Sequence, residues 1–124
     1  VDTTSQKDSN MYLVIAIIRH HLLESVRDAL QDVGVIGVTV SDCRGSGHQL
    51  NVTHSFRGSQ YGNSLEPRVR LEIALNEAHL NDAVDAIQKS ACTGEIGDGK
   101  ILVLPIQDAV RIRTNERGKV ALEA

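Results

Sequence analysis

The apolar run MYLVIAIIR at residues 11–19 leaves this chain few ways to fold. Dense in isoleucine and valine, it reads as a strand buried on both faces rather than an alternating surface strand. Its uninterrupted apolar stretch, 13–18, is far too short to cross a bilayer. Residues 22–33 follow with Leu23, Val26, Leu30 and Val33 on one helical stripe, and Gly34 supplies a stop. Residues 35–43 are β-branched and read as a second strand. Residues 67–75 alternate, with Val69, Leu71, Ile73 and Leu75 on one face and Arg68, Arg70, Glu72 and Ala74 on the other. Asn76 is placed to cap a second helix with the stripe Leu80, Ala83, Val84, Ile87 and Ala91. A strand at 100–104, broken at Pro105, and a short strand at 110–114 complete the pattern. Two successive strand–helix–strand units predict an α+β, ferredoxin-like sheet with both helices on one face. A first strand apolar on both sides then needs a second cover, and the simplest is another copy of the chain.

The 124 residues suit one domain, here 11–114. Residues 1–10 read as a disordered polar tail and 115–124 as a mobile one. The leader lacks an apolar core, so it is not a secretory signal, and the chain is expected to be cytoplasmic without membrane insertion. Thirteen Lys and Arg stand against sixteen Asp and Glu, a net charge of −3 that argues against a nucleic-acid partner. Aromatics are only Tyr12, Phe56 and Tyr61, too few for a base-stacking platform. Cys43 and Cys92 lie far apart and read as reduced, structural thiols. Between Cys43 and the third strand, residues 45–66 show no period and carry Gly45, Gly47, Gly58 and Gly62. A segment of that length in a compact domain reads as a projecting recognition loop.

Basic residues that bind an anion must therefore be gathered locally. The stretch Thr93-Gly94-Glu95-Ile96-Gly97-Asp98-Gly99-Lys100 does this, because its glycines allow close backbone approach and Lys100 offers a point charge. Arg111 and Arg113, two apart, share a side if their segment is extended. Loop, lysine and arginines together describe a polyphosphate site, with a nucleotide as its natural ligand. Taken alone, the arginines read as a solvated edge; it is beside the glycine loop that they read as a phosphate site.

These motifs, with Phe56-Arg57-Gly58-Ser59-Gln60-Tyr61 and Pro67-Arg68-Val69, are similar to those of the PII signalling proteins, the nitrogen regulatory family. The resemblance implies a homotrimer with ATP or ADP bound between subunits. Residues 45–66 would be the family's T-loop and 92–100 its B-loop. Lys100, Arg111 and Arg113 would hold phosphates, the arginines reaching across from a neighbouring subunit. Gly97 and Gly99 would make room for them, Asp98 and Gly47 would stand with the site, and Thr39, Gly45 and Thr93 would line the nucleoside. Glu72 would line the cleft or pair with Arg70 or Arg68. Gln49 matches the residue that helps coordinate Mg²⁺ when the family binds 2-oxoglutarate, and Arg68 stands where the family pairs a lysine with that ligand. Tyr61 falls at a tyrosine that some bacterial members have uridylylated, and Ser59 at a site phosphorylated in other lineages.

The chain departs from the family pattern at His48, at Leu50-Asn51, at Arg68 and at Glu95, which adds negative charge to the glycine loop. His48, His54 and Cys43 form a candidate soft metal site without any spacing motif; His20 and His21, adjacent at the turn into the first helix, cannot easily share a face, and His79 reads as solvated. No serine or cysteine has a recognisable base partner, and no carboxylates pair, so the chain does not read as an enzyme. The expectation is a sensor whose T-loop engages a membrane transporter or a metabolic enzyme. The alternatives are a divergent sensor of bicarbonate or a metal ion acting on a transporter other than the ammonium channel, and a slow ATPase.

Overall fold

The computed structural model describes residues 10–46 and 65–123. Strands β1 (Met11–Arg19), β2 (Thr39–Gly45), β3 (Glu66–Asn76) and β4 (Gly99–Ile106) form one antiparallel sheet in the order β2-β3-β1-β4. The most apolar strand lies inside the sheet, hydrogen-bonded to β3 and β4. Helices α1 (Leu23–Asp32) and α2 (Glu77–Ala91) follow β1 and β3. This is the ferredoxin-like α+β arrangement expected from the element order.

Alternation divides the sheet into two faces. Val14, Ala16 and Ile18 of β1, with Val69, Leu71 and Ile73 of β3, pack with Val26 and Leu30 of α1 and Ala83 and Ile87 of α2 into one core. On the face away from the helices, the rows across the sheet run from apolar to cationic. Leu104, Leu13 and Ala74 lie side by side, then Leu102, Ile15, Glu72 and Thr39. The following row is Lys100, Ile17, Arg70 and Ser41, and the last is Arg19, Arg68 and Cys43. Leu102 and Leu104 are 44% and 41% exposed there, which is the uncovered apolar surface that the first strand foretells.

Helix α1 ends in a Schellman turn. Gly34, at φ +87°, donates to the Gln31 carbonyl and Val35 to that of Leu30, while Val35 and Leu30 meet in the core. Four sequence expectations need correction. The second strand starts at Thr39, not at residue 35, because the chain after the turn must cross to the sheet edge before it pairs. Pro105 does not break the fourth strand, which continues to Ile106 opposite Met11; β4 is an edge strand, where a missing N–H is tolerated. Asn76 occupies the cap position of α2, but its side chain makes no capping bond and its buried Oδ1 has no partner; the Glu77 N–H donates instead to the Asn10 carbonyl at 3.0 Å.

The fourth correction bears on function. Residues 110–114 are not a strand: Val110 forms an isolated bridge with Arg117, and the Arg111 carbonyl accepts from Asn115 at 2.7 Å, with Asn115 at φ +64°. A short 3-10 helix (Gly118–Leu122) follows, where the polar composition suggests a mobile tail.

Candidate functional site

The glycine loop at 92–100 is organised around one carboxylate. Asp98 Oδ2 accepts the backbone N–H groups of Thr93 (2.8 Å) and Gly94 (3.0 Å), and Oδ1 accepts the Thr93 hydroxyl and Arg19 Nε (2.9 Å). Arg19 also donates through Nη2 to the Ile96 carbonyl at 3.0 Å, so the end of β1 grips the loop at two points. The Thr93 hydroxyl first, then Arg19 and the loop amides, hold the Asp98 carboxyl far below the usual carboxylate range; partial desolvation opposes them weakly. The loop is thus built for an ionised Asp98, whose charge is matched by Arg19.

Gly94, Gly97 and Gly99 have φ of +88°, +103° and +107°. At Gly99 the requirement is steric as well, since a Cβ would lie 1.8 Å from the Ile17 carbonyl oxygen. That close approach starts β4 immediately after the loop and sets Lys100 opposite Ile17 on the helix-free face.

Beside the loop lies a cleft of about 760 Å³ lined by Ile17, Cys43, Arg44, Gly45, Ser46, Arg68, Arg70, Ile96, Gly97, Gly99 and Lys100. Four of these residues are cationic and none is a carboxylate. Arg70 shares its charge with Glu72, which it meets at 2.9 Å, and Arg68 Nη1 donates to the Pro67 carbonyl at 2.9 Å. Of the two readings of Glu72, the pairing with Arg70 is the one present. An anion entering the cleft would relieve the mutual repulsion of Lys100, Arg44 and Arg68.

The fold therefore brings Gly45, Arg68, Gly97, Gly99 and Lys100 together around the cleft, while Thr93 and Asp98 do not line it and are bonded to each other within the adjoining loop. Thr39 is exposed at the far end of β2, opposite Glu72. Arg111 and Arg113 do not line the cleft within the same subunit. Arg111 points into its own C-terminal segment: Nη1 meets Glu116 Oε1 at 2.7 Å, and Nη2 donates to the carbonyls of Val120 (2.8 Å) and Glu123. Gly47, Gln49 and Tyr61, with His48, Leu50, Asn51, His54 and Ser59, fall outside the described residues. Among the described residues no three His, Cys, Asp or Glu side chains gather as metal ligands, and Cys43 and Cys92 are free thiols.

Sequence reasoning missed Arg19 and Arg44. The signal for Arg19 was available, as a charged residue closing an otherwise apolar central strand needs a partner. Arg44 had no signal beyond its place before Gly45.

The family model "Nitrogen regulatory protein P-II" matches residues 11–116. The chain is 46% identical over 112 residues to nitrogen regulatory protein P-II 1 of Methanothermobacter thermautotrophicus, covering 90% of this chain and 97% of that one. To nitrogen regulatory protein GlnK of Escherichia coli it is 40% identical over 112 residues, covering 90% and 100%. A solved structure of Arabidopsis thaliana PII bound to citrate superposes with a TM-score of 0.73 at 37% identity, covering 91% and 92% of the two chains. Fold, family model and relatives agree that the chain belongs to the P-II nitrogen regulatory proteins, a family of signalling proteins rather than enzymes.

Proposed function

We propose that this P-II protein binds ATP or ADP in clefts between the subunits of a homotrimer and uses occupancy to set the conformation of residues 45–66, which engage a target protein. The observation that carries this reading is the cation-lined cleft against the glycine loop, with Lys100, Arg44 and Arg68 in its lining and no carboxylate among the described residues that line it. Gly45 and Glu66 are paired at the last rung between β2 and β3, and both strands run from the cleft into the intervening segment. A ligand that touches Gly45, Arg68 and Lys100 therefore touches the root of that segment. The exposed apolar rows of the sheet supply the surface for trimer assembly. Arg113 of a neighbouring subunit would add to the phosphate site.

In this reading Gln49 helps hold Mg²⁺ and Arg68 pairs with 2-oxoglutarate, and the protein acts in the cytoplasm on a membrane transporter or a metabolic enzyme. The bound citrate of the Arabidopsis relative supports a place for a small carboxylate on this fold. A second reading, a sensor of bicarbonate or a metal ion, is favoured by the substitutions at His48, Leu50 and Asn51 and by Arg68, whose planar fork does not reproduce a lysine's point contact.

Calorimetry decides between them. ATP should bind the native chain, and Lys100→Ala should weaken it about tenfold or more, as expected for a charge-assisted hydrogen bond. Tight binding of 2-oxoglutarate with Mg²⁺ to the ATP-loaded protein supports the first reading, and silence there supports the second. Phosphate release no faster than in Lys100→Ala eliminates ATP hydrolysis.

A further inference from the structure

Arg111 and Arg113 look equivalent in the sequence, yet they are committed differently. A guanidinium has five N–H groups arranged in two forks, Nε with Nη2 and Nη1 with Nη2, and a phosphate gripped by two bonds needs one fork entire. In Arg111 both Nη2 hydrogens are taken, by the carbonyls of Val120 and Glu123, and Nη1 holds Glu116. Neither fork is open. Arg113 is exposed and forms no ion pair with a described residue.

The two carbonyls lie at the end of the 3-10 helix (Gly118–Leu122), whose Leu122 lines one cavity with Gly34, Val35, Ile36, Asn76 and His79. The turn before that helix holds itself together independently. Glu116 Oε1 also accepts from the Thr114 hydroxyl at 2.7 Å, and the Glu116 carbonyl accepts the Arg111 N–H at 2.8 Å. Loss of the Nη2 bonds therefore frees the C-terminal helix without dissolving the turn that presents both arginines.

Resting on the nucleotide reading above, we infer that the C-terminal carbonyls and the nucleotide phosphates compete for Arg111. Docking of residues 118–123 closes both forks, and bidentate capture of a phosphate by Arg111 requires that this segment let go. Nucleotide binding is thereby coupled to release of the C-terminal helix, a second moving part besides residues 45–66. Arg113 binds phosphate in either state.

Amide hydrogen exchange on the full chain, with and without saturating ATP, tests this. Exchange in residues 120–123 should rise at least about fivefold on adding ATP, as local opening replaces protection. Arg111→Ala and Arg111→Lys should show the raised exchange without nucleotide, and ATP should add little. Arg113→Ala should weaken ATP binding about tenfold and leave exchange in the nucleotide-free chain unchanged. Exchange that slows or stays constant in a chain that binds ATP by calorimetry overturns the competition and leaves the nucleotide site intact. No calorimetric heat with ATP in the native chain overturns the nucleotide reading, and the competition with it.

Discussion

Gly99 and Asp98 are adjacent residues that shape the same loop by different physics. Gly99 is fixed by sterics: with φ at +107° and a Cβ position 1.8 Å from the Ile17 oxygen, no rotamer relieves the clash because the obstacle is backbone. Gly99→Ala should destabilise the protein by roughly 3 kcal/mol or more, read as a lowered urea midpoint, with loss of ATP binding. Gly94, which has open space around it, should tolerate alanine at only the cost of its positive φ. Asp98 is fixed by charge. Its folded-state pKa lies below the unfolded one, so its contribution is complete above the ordinary carboxylate range, declines as pH falls below that range, and is gone once pH has fallen through the depressed value. The Asp98 carboxyl carbon, followed by NMR, should still report an ionised group at about pH 3, where an ordinary aspartate is mostly protonated. A midpoint near the ordinary value would show that the Thr93 and Arg19 contacts do not hold in solution. At this scale the sequence revealed that glycines and a lysine gather, but not that Asp98 faces inward, since an acceptor's partners depend on which strand end the fold brings to it.

Whole elements were legible where burial alone dictates the pattern. The apolar stripes of α1 and α2 and the alternation of β3 follow from facing a single core, so period and position coincide with the structure. Legibility failed where pairing or local geometry decides. Residues 35–38 have strand-like composition, yet they stay unpaired and the strand begins only at Thr39, opposite Glu72. Residues 110–114 alternate like a strand, yet the positive φ of Asn115 and the pull of Glu116 on Arg111 turn the chain back. Helix α2 shows the same divide between residue type and geometry. Asn76 is the right residue at the cap, but its side chain does not cap, so Asn76→Ala should cost less than about 0.5 kcal/mol, against about 1 kcal/mol for loss of a working cap. Chemical denaturation measures this directly, and a loss above about 1 kcal/mol would mean that Oδ1 finds a donor in solution.

The molecule as a whole divides its labour between the two faces of one sheet. The helix-covered face supplies stability within the chain, and the other face grades from leucines and isoleucines to a cluster of cations. If the apolar rows join subunits, Leu104→Asp should yield monomers by light scattering and abolish ATP binding, because the site would lose its neighbour's contribution. Trimers that persist in this variant would move the interface elsewhere. A net charge of −3 spread over the chain makes the cationic end more conspicuous, and it explains how an acidic protein can attract an anion to one place. Pro105, unremarkable inside β4, has a consequence for self-association. A sheet with bare edges can recruit strand after strand into an open-ended fibre, whereas a proline near the end of the edge strand denies the next strand one of its anchoring donors. If copies of this chain associate, they are steered from this edge toward the exposed face, which can be covered only a fixed number of times. A single ring in the edge strand β4 thus blunts one of the sheet's two edges against filament growth.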